Sequence, residues 1–548
     1  MRNWTMRPSS ADAAMPGGAS LPVTLLVIFV GALLLLWPAA YNGFPIAFYD
    51  TSQYLSGGQK ALAAIGIGTG EAQAPPIADV SAGPAAAGTA AEGTAADAAA
   101  AGTAADAADS EQGARDDRSV YYGLFAQLLN LIGGFPAIVA MQAALTAVAL
   151  VRGMHIVGVR SAPRQLLILA LLAAFTPLSF FVSLVMPDIF GPLMLLGLAV
   201  VAAYHRQLAW PETMLWLGLV LMGVLFHKAF LLTAVVIVVA TLVLRLITPP
   251  YTAAMARLAA PIALGVAGTI MIGAAVEQVL DRRVVHTPFL LARLVEDGTA
   301  ETILREDCPQ AGYRTCIYLP ELPMSENEFL WGNTTRGVRG EASSGFMGLA
   351  LEDRLEIAAE QRVILMEVLR RYPLEQLARS TENVARSLVT LSLRRFQPPD
   401  EGEKELASKQ QFYNGSLRAM PVAMPKLAAS KLWREEFPLG GISFVSTATY
   451  LPSLLLLGLF LAAHLRKPLG RDGAPDVRFV RLVAIVVLGL LVNAAVSGVI
   501  SGVSGRYQAR FAALAPFVML ALLARTQSRN EPVITKAARA DQLDESVA

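Results

Sequence analysis

Apolar residues fall in ten continuous runs, at about 21–41, 136–151, 165–186, 189–204, 211–226, 229–247, 258–276, 443–463, 480–500 and 509–524. A run of roughly 20 apolar residues crosses a ~30 Å hydrocarbon core as helix, so the pattern predicts about ten transmembrane helices. Pro187-Asp188 joins the third run to the fourth, and His227-Lys228 the fifth to the sixth. Such short connections read as tight hairpins. The first run is longer than a signal-peptide core and ends in Trp37, Pro38 and Tyr41 without a small-x-small cleavage pattern. It reads as an uncleaved helix.

Two longer segments interrupt the runs. The first opens on the turn Tyr41-Asn42-Gly43-Phe44-Pro45 and a short helical stretch through Tyr54 and Leu55. It then passes into an Ala/Gly/Thr-rich tract with almost no large apolar groups, which cannot offset the entropy of ordering and is expected to be disordered. From Arg118 onward Tyr121, Leu124, Phe125, Leu128 and Leu129 recur at helical spacing, predicting an amphipathic interfacial helix that breaks at Gly133-Gly134. The second segment, 277–441, is polar and helical in pattern, with helices over 349–372 and 374–393 split at Tyr372-Pro373.

The predicted organisation is therefore a tail at 1–20, the first transmembrane helix and the start of its loop at 21–70, and a linker at 71–117. An interfacial helix and transmembrane helices two to seven follow at 118–276, then a helical domain at 277–441, helices eight to ten at 442–525 and a tail at 526–548. The expected fold class is an all-α integral membrane protein with outer-face interfacial helices and one helical, disulfide-containing outer-face domain.

Composition agrees with this class: 54% of residues are apolar, 16% charged, and the mean hydropathy is +0.50. A soluble domain needs more charge to cover its surface. The net charge of +1 comes with no basic stripe interleaved with aromatics, so nucleic acid is not an expected partner. Arg2, Arg7, Arg152, Arg160, Arg164, Arg206, Arg245, Arg257, Arg466, Lys467, Arg471, Arg478, Arg481, Arg525 and Arg529 all fall on one side of a ten-helix topology. By the positive-inside rule that side is the cytoplasm of an inner (plasma) membrane, with both termini there and the two long segments on the periplasmic face. The only cysteines, Cys308 and Cys316, lie in 277–441. They are too few for a thiolate zinc site and suit one disulfide, which persists in an oxidising outer compartment.

Ionisable side chains are nearly absent from the middle of the runs, where Gln142 and Asn493 are the main polar exceptions. Ion-coupled transporters usually bury acids or bases at that depth, which counts against transport. Acids and bases gather instead at the outer helix ends: Asp50, Arg118, Asp188, His227, Lys228, Arg506 and Arg510. Structural roles also fit several of them. Asp188 suits a turn or helix cap, His227 and Lys228 can snorkel, and Arg118 and Arg506 can anchor lipid headgroups. Asp50 lies among Phe48, Tyr49 and Tyr54 rather than in a polar turn. The Asn333-Thr334-Thr335 sequon reads as incidental, and His155, His205 and His464 fall on the cytoplasmic side. A carboxylate at the outer interface can serve as general base toward an acceptor hydroxyl, while Lys, Arg and His hold the phosphate of a membrane-embedded donor.

These residues resemble, in order and sidedness, the GT-C superfamily of membrane glycosyltransferases, which includes protein mannosyltransferases and the aminoarabinose transferases of lipid A. Phe48-Tyr49-Asp50-Thr51-Ser52-Gln53-Tyr54 is similar to the family's acidic first outer loop, and Arg118-Ser119-Val120-Tyr121-Tyr122 to its Arg-x-x-x-Tyr-like start of an interfacial helix. Met186-Pro187-Asp188 resembles its second acidic position, Phe226-His227-Lys228 its basic outer turn, and Arg506-Tyr507 its Arg-Tyr near the last spans. The resemblance covers the first seven spans and the last two or three. It implies a polyprenyl-phosphate-linked sugar as donor and an envelope glycan, lipid or protein as acceptor. Asp50 would be the base and Asp188 would orient the acceptor or support Asp50. Arg118, Lys228 and Arg506, with Tyr507, would bind the donor phosphate, and His227 phosphate or sugar. Where the family often carries Asp-Glu, Thr51 takes the second place, so neither a metal nor another cofactor is expected. The polar domain also precedes the last three spans instead of following them all. Two other readings fit the same pattern: a polysaccharide polymerase or ligase, which depends less on Asp50, and a non-catalytic membrane scaffold or lipid transporter.

Overall fold

The computed structural model describes residues 20–67, 114–115, 118–244, 246, 251–280, 283–332, 345–396, 420, 422–465 and 476–530. The Ala/Gly/Thr-rich tract at 71–113, the sequon at 333–335, the basic stretch at 466–471 and residues 1–19 and 531–548 of the two expected tails lie outside these residues, while 526–530 continue the last helix.

The chain begins with α1 (Leu21–Leu35), which bends at Leu36 ahead of Pro38 into α2 (Trp37–Asn42), followed by α3 (Tyr49–Ala64). A short strand, β1 (Ala114–Arg115), precedes α4 (Val120–Ile156). Inside α4 the helical conformation is lost at Gly133 and at Gly134, whose φ of 68° only glycine adopts without strain. Next come α5 (Ala162–Phe175), α6 (Leu178–Val182), a 3₁₀ turn at Pro187–Ile189, α7 (Phe190–Tyr204), α8 (Trp210–Phe226), α9 (Lys228–Val243) and α10 (Tyr251–Leu280). The polar segment holds β2 (Val284–Val285), paired in parallel with β1, then α11 (Phe289–Glu296), α12 (Thr299–Asp307), α13 (Glu326–Trp331), α14 (Leu351–Arg371) and α15 (Pro373–Val389). Pro373 stands at the first turn of α15, where its missing N–H costs no hydrogen bond. A 3₁₀ turn at Arg394–Phe396 and α16 (Met424–Ala428) lead back to α17 (Leu439–Leu465), α18 (Val477–Ile500), α19 (Gly505–Ala512) and α20 (Leu514–Asn530).

Among the described residues seven helices are long and apolar enough to cross a membrane, and α5, α8 and α9 are shorter apolar helices. The protein is thus an all-α chain of multi-pass membrane type. Each of the ten apolar runs holds one of these helices. The run at 165–186 is not one continuous helix, however. α5 ends at Phe175, because Thr176 is extended and Pro177 has no N–H to continue the ladder. The chain completes the run through α6 and the extended residues before Pro187. α7 is buried on every side, whereas α1 and α17 leave Leu25, Phe29, Phe444 and Leu455 more than half exposed, as a lipid-facing surface requires.

Buried apolar side chains form two clusters. The larger runs through the apolar helices and takes in Leu391, Leu393, Phe396, Met424 and Phe437 from the end of the polar segment. The smaller, around Leu294, Ile303, Phe329, Ile357 and Val368, is the separate core of α11–α14. At one end of the bundle, basic residues from several helices meet. Arg152 pairs with Glu212, Arg257 donates to the His205 carbonyl at 2.6 Å, and Arg525 and Arg478 both pair with Asp476. The candidate site lies at the other ends of α4, α7, α8 and α18.

Candidate functional site

Two irregular segments carry the acids, and buried hydrogen bonds stitch them together. The Ile46 N–H donates to the Ser183 carbonyl at 2.9 Å, and the Val185 N–H returns a bond to the Ile46 carbonyl at 2.8 Å. The Thr51 hydroxyl accepts the Phe48 N–H and donates to the Val185 carbonyl, each at 3.0 Å. Gln142, polar within an otherwise apolar stretch, donates to the carbonyls of Val182 and Leu184 at 2.9 Å and accepts from the Tyr122 hydroxyl at 3.1 Å. Its role is to satisfy backbone that no helix satisfies. Asp50, at the start of α3, and Asp188, in the 3₁₀ turn, are thereby held near each other.

α19 brings the cations. Arg506 and Arg510 are four residues apart and share one helix face. The opposite face is anchored by the second polar exception: Asn493 donates to the Tyr507 carbonyl at 3.0 Å and to Gln508 Oε1 at 2.8 Å, and Gln508 donates to the Tyr450 hydroxyl at 2.8 Å. Arg118 sits just before α4, where the neighbouring Ser119 hydroxyl donates to the Leu225 carbonyl at 2.6 Å.

The charges form one chain of ion pairs. Arg118 Nη2 lies 2.5 Å from Asp50 Oδ1, and Arg506 Nη2 lies 3.6 Å from Asp50 Oδ2. Arg506 Nε and Arg510 Nη1 lie 3.6 and 3.5 Å from Asp188 Oδ1. Arg506 therefore bridges the two acids. Aromatic rings wall the cluster: Arg506 lies 5.1 Å from the Phe48 ring and 5.6 Å from that of Phe396, and Arg510 lies 4.5 Å from Phe230 and 5.2 Å from Tyr507. Asp188, Arg506 and Arg510 are buried, yet both Asp188 oxygens, Arg506 Nε, and Arg510 Nε and Nη1 make no hydrogen bond. Buried polar atoms almost always do. These contacts are electrostatic, at distances that leave donors and acceptors unsaturated.

Burial alone would push the Asp50 carboxyl up. The Arg118 and Arg506 guanidiniums beside it more than reverse that, holding it below the usual carboxylate range. Asp50 is therefore a carboxylate at neutral pH, and a weak base while Arg118 stays in place.

The other sequence-derived residues fall as follows. His227 Nδ1 accepts the Ala229 N–H at 3.2 Å, capping α9, and its ring stacks on Phe230 at 4.7 Å. Arg510 lies over the same Phe230 ring, so His227 borders the cluster. Tyr507 lies half-buried beside both α19 arginines. Lys228 is exposed at the start of α9. Cys308 and Cys316 are joined as a disulfide in the polar domain, between α12 and the 3₁₀ stretch Arg314–Glu321. Among the described residues, no three His, Cys, Asp or Glu side chains converge as metal ligands. Arg510, gathered with these residues from the sequence but given no role there, joins the site through Asp188. Phe396 goes beyond the sequence-derived set and carried no signal, since nothing local says that the end of a polar domain folds back onto the bundle.

The chain matches no protein-family model, no curated protein and no solved structure.

Proposed function

We propose that the protein is a GT-C-like membrane glycosyltransferase that moves a sugar from a polyprenyl-phosphate donor to an acceptor hydroxyl at the outer face of the inner membrane. The observation that carries this reading is the Arg506 bridge. Three guanidiniums (Arg118, Arg506, Arg510) surround two carboxylates (Asp50, Asp188) in a buried, aromatic-walled cluster at the end of apolar helices. One excess positive charge and unsaturated guanidinium donors suit an anionic headgroup. A donor phosphate would draw Arg118, Arg506 and Arg510 toward itself and loosen their hold on the acids. Asp50 would then take the acceptor hydroxyl proton as its oxygen attacks the sugar C1. The C1–O bond would break with its electron pair leaving on the phosphate, where the guanidiniums stabilise the growing charge. Asp188 would orient the acceptor or support Asp50. The acceptor is an envelope glycan, lipid or protein.

The sidedness belongs to the same proposal. It rests on the basic residues at the far ends of the helices, with ten spans, both termini cytoplasmic and the 277–441 domain outside. The close Asp50–Arg118 pair favours a second reading, a polysaccharide polymerase or ligase that works through its arginines and needs no Asp50 base. To test the proposal, a polyprenyl monophosphate is titrated into purified wild-type and Arg506→Ala protein in nanodiscs. Binding by the wild type, weakened roughly tenfold or more in the variant, is the expected result, with lipid-linked sugar accumulating in a deletion strain. Equal binding by both proteins would leave Arg506 without its assigned role.

A further inference from the structure

The polar domain reaches the site through the connection between α18 and α19. Three glycines in or beside it, the first in the last turn of α18 and the third opening α19, each meet a different part of that domain. Gly498 lies against the Asn383–Val384 backbone of α15, where a Cβ would come within 2.8 Å. Gly502 lies against the Glu326 carboxylate at the start of α13, and a Cβ on Gly505 would come within 2.5 Å of the Ser392 nitrogen. Arg506 is the next residue. Its guanidinium is flanked by Phe396, from the turn that ends the same domain. The domain and the most connected cation of the site are thus in mechanical contact.

Glu326 is the one titratable group in these glycine contacts. It is 7% exposed, and the hydrogen bond it receives from the Ser501 hydroxyl is long, at 3.5 Å. Arg293 and Glu296 face it from α11 and Arg395 from the 3₁₀ turn, while residues 497–505 contain no charged side chain. Arg293 is largely committed elsewhere: it donates to Asp297 at 3.0 and 2.7 Å, and Asp297 also receives Gln376 and Asn383. Glu296 is tied to the same residue, accepting the Glu326 N–H at 2.8 Å.

We propose that Glu326 is a proton-responsive positioning residue: neutral, it stays packed dry against Gly502 and holds the Ser501–Gly505 connection, and with it Arg506, in place; ionised, its need for water draws it from Gly502 and loosens that hold, against the stronger bond it then accepts from Ser501. Burial, helped by Glu296 and only partly opposed by Arg293, Arg395 and Ser501, raises its carboxyl from 4.5 to about 7. A folded-state value above the unfolded one makes the stabilisation complete below the unfolded value of 4.5 and lost as pH rises through about 7. The site would therefore be best ordered on the acid side of neutrality.

Hydrogen exchange of the peptide covering Ile500–Phe511, corrected for intrinsic rates, tests this in nanodisc-embedded protein from about pH 5.5 to about pH 8.5. Wild-type protection should fall severalfold across that range, and Glu326→Gln should stay at the low-pH level throughout. Flat wild-type protection overturns the proposal, as does a Glu326→Gln protein with the wild-type pH dependence. If Glu326→Gln does not fold, Glu296→Gln is read instead. Removing that negative neighbour should move the midpoint to lower pH, and an unmoved midpoint overturns the assignment to Glu326. Neither donor nor acceptor is needed, so the outcome is independent of the glycosyl-transfer proposal.

Discussion

Thr51 donates its hydroxyl to the Val185 carbonyl at 3.0 Å, so one fully buried side chain ties the Asp50 turn to the segment that leads to Asp188. An acid at this position would set a second carboxylate against a carbonyl oxygen in a dry interior. The residue that looked like a lost acid is a structural tie. Thr51→Val keeps the shape and leaves the Val185 carbonyl and the Phe48 N–H without this partner, at a cost of about 1–3 kcal/mol. Thermal unfolding in detergent should show that loss for Thr51→Val and little of it for Thr51→Ser. Equal melting of all three proteins would mean that the backbone ladder at Ile46 and Val185 holds the acids unaided.

Arg510 and Asp188 give a second expectation. Asp188 is fully buried and faces two guanidiniums, Arg510 at 3.5 Å and Arg506 at 3.6 Å. Removing one partner from a buried pair strands charge, so Arg510→Met should destabilise the protein by about 3–5 kcal/mol. Asp188→Asn should cost less in that background than in the wild type, because the Arg510 guanidinium that Asp188 partly neutralises is already gone. A double-mutant cycle by chemical denaturation measures the coupling, and additive effects would deny it.

Much of this arrangement was legible from hydropathy and from what lies at helix ends. Each apolar run holds an apolar helix, the Gly133-Gly134 break lies where the residue types place it, and Tyr372-Pro373 divides α14 from α15. Asp50, Arg118, Asp188 and Arg506 stood out because each lies at or just before the start of a helix rather than within an apolar run. What stayed hidden depended on long-range packing. Hydropathy averages over Thr176-Pro177, so the break after α5 went unseen. It also cannot show that His227 spends Nδ1 on a helix cap while the neighbouring Lys228 is exposed. Phe396 and Glu326 reach the site only through the fold of the polar domain, which no period in the chain encodes.

Sidedness can be measured directly, because the chain's only two cysteines are consumed in the Cys308–Cys316 disulfide. Single cysteines placed at Ala359, exposed on α14, and at Gly470, between α17 and α18, therefore report without background. In intact inner-membrane spheroplasts a membrane-impermeant maleimide should label Ala359→Cys and spare Gly470→Cys. The reverse pattern would turn the whole assignment over and put the arginine–aspartate cluster on the cytoplasmic face.

Asp50 separates catalysis from architecture most sharply. Asp50→Asn keeps the side-chain size and an oxygen that can still accept from Arg118, so expression and membrane insertion should be little changed. The amide cannot take a proton from the acceptor, and losing general-base assistance costs roughly 10²–10⁴-fold in rate. A purely structural Asp50 would behave differently: its loss would leave the Arg118 and Arg506 guanidiniums without that carboxylate and lower stability, while the folded protein kept its turnover. The pH dependence follows from the two arginines that hold Asp50 below the usual carboxylate range. A depressed folded-state value means the carboxylate's contribution to stability is complete above the unfolded value of about 3.9. It is lost only as pH falls through the lower, folded one. Protonation of Asp50 should therefore leave the melting temperature of the donor-free protein untouched at neutral pH and show itself only below about pH 4. Turnover of a lipid-linked sugar by wild-type and Asp50→Asn protein, each assayed with donor above saturation, is the deciding measurement. A wild-type rate in the variant would remove Asp50 from the chemistry and leave the arginines of α19 to the polymerase or ligase reading.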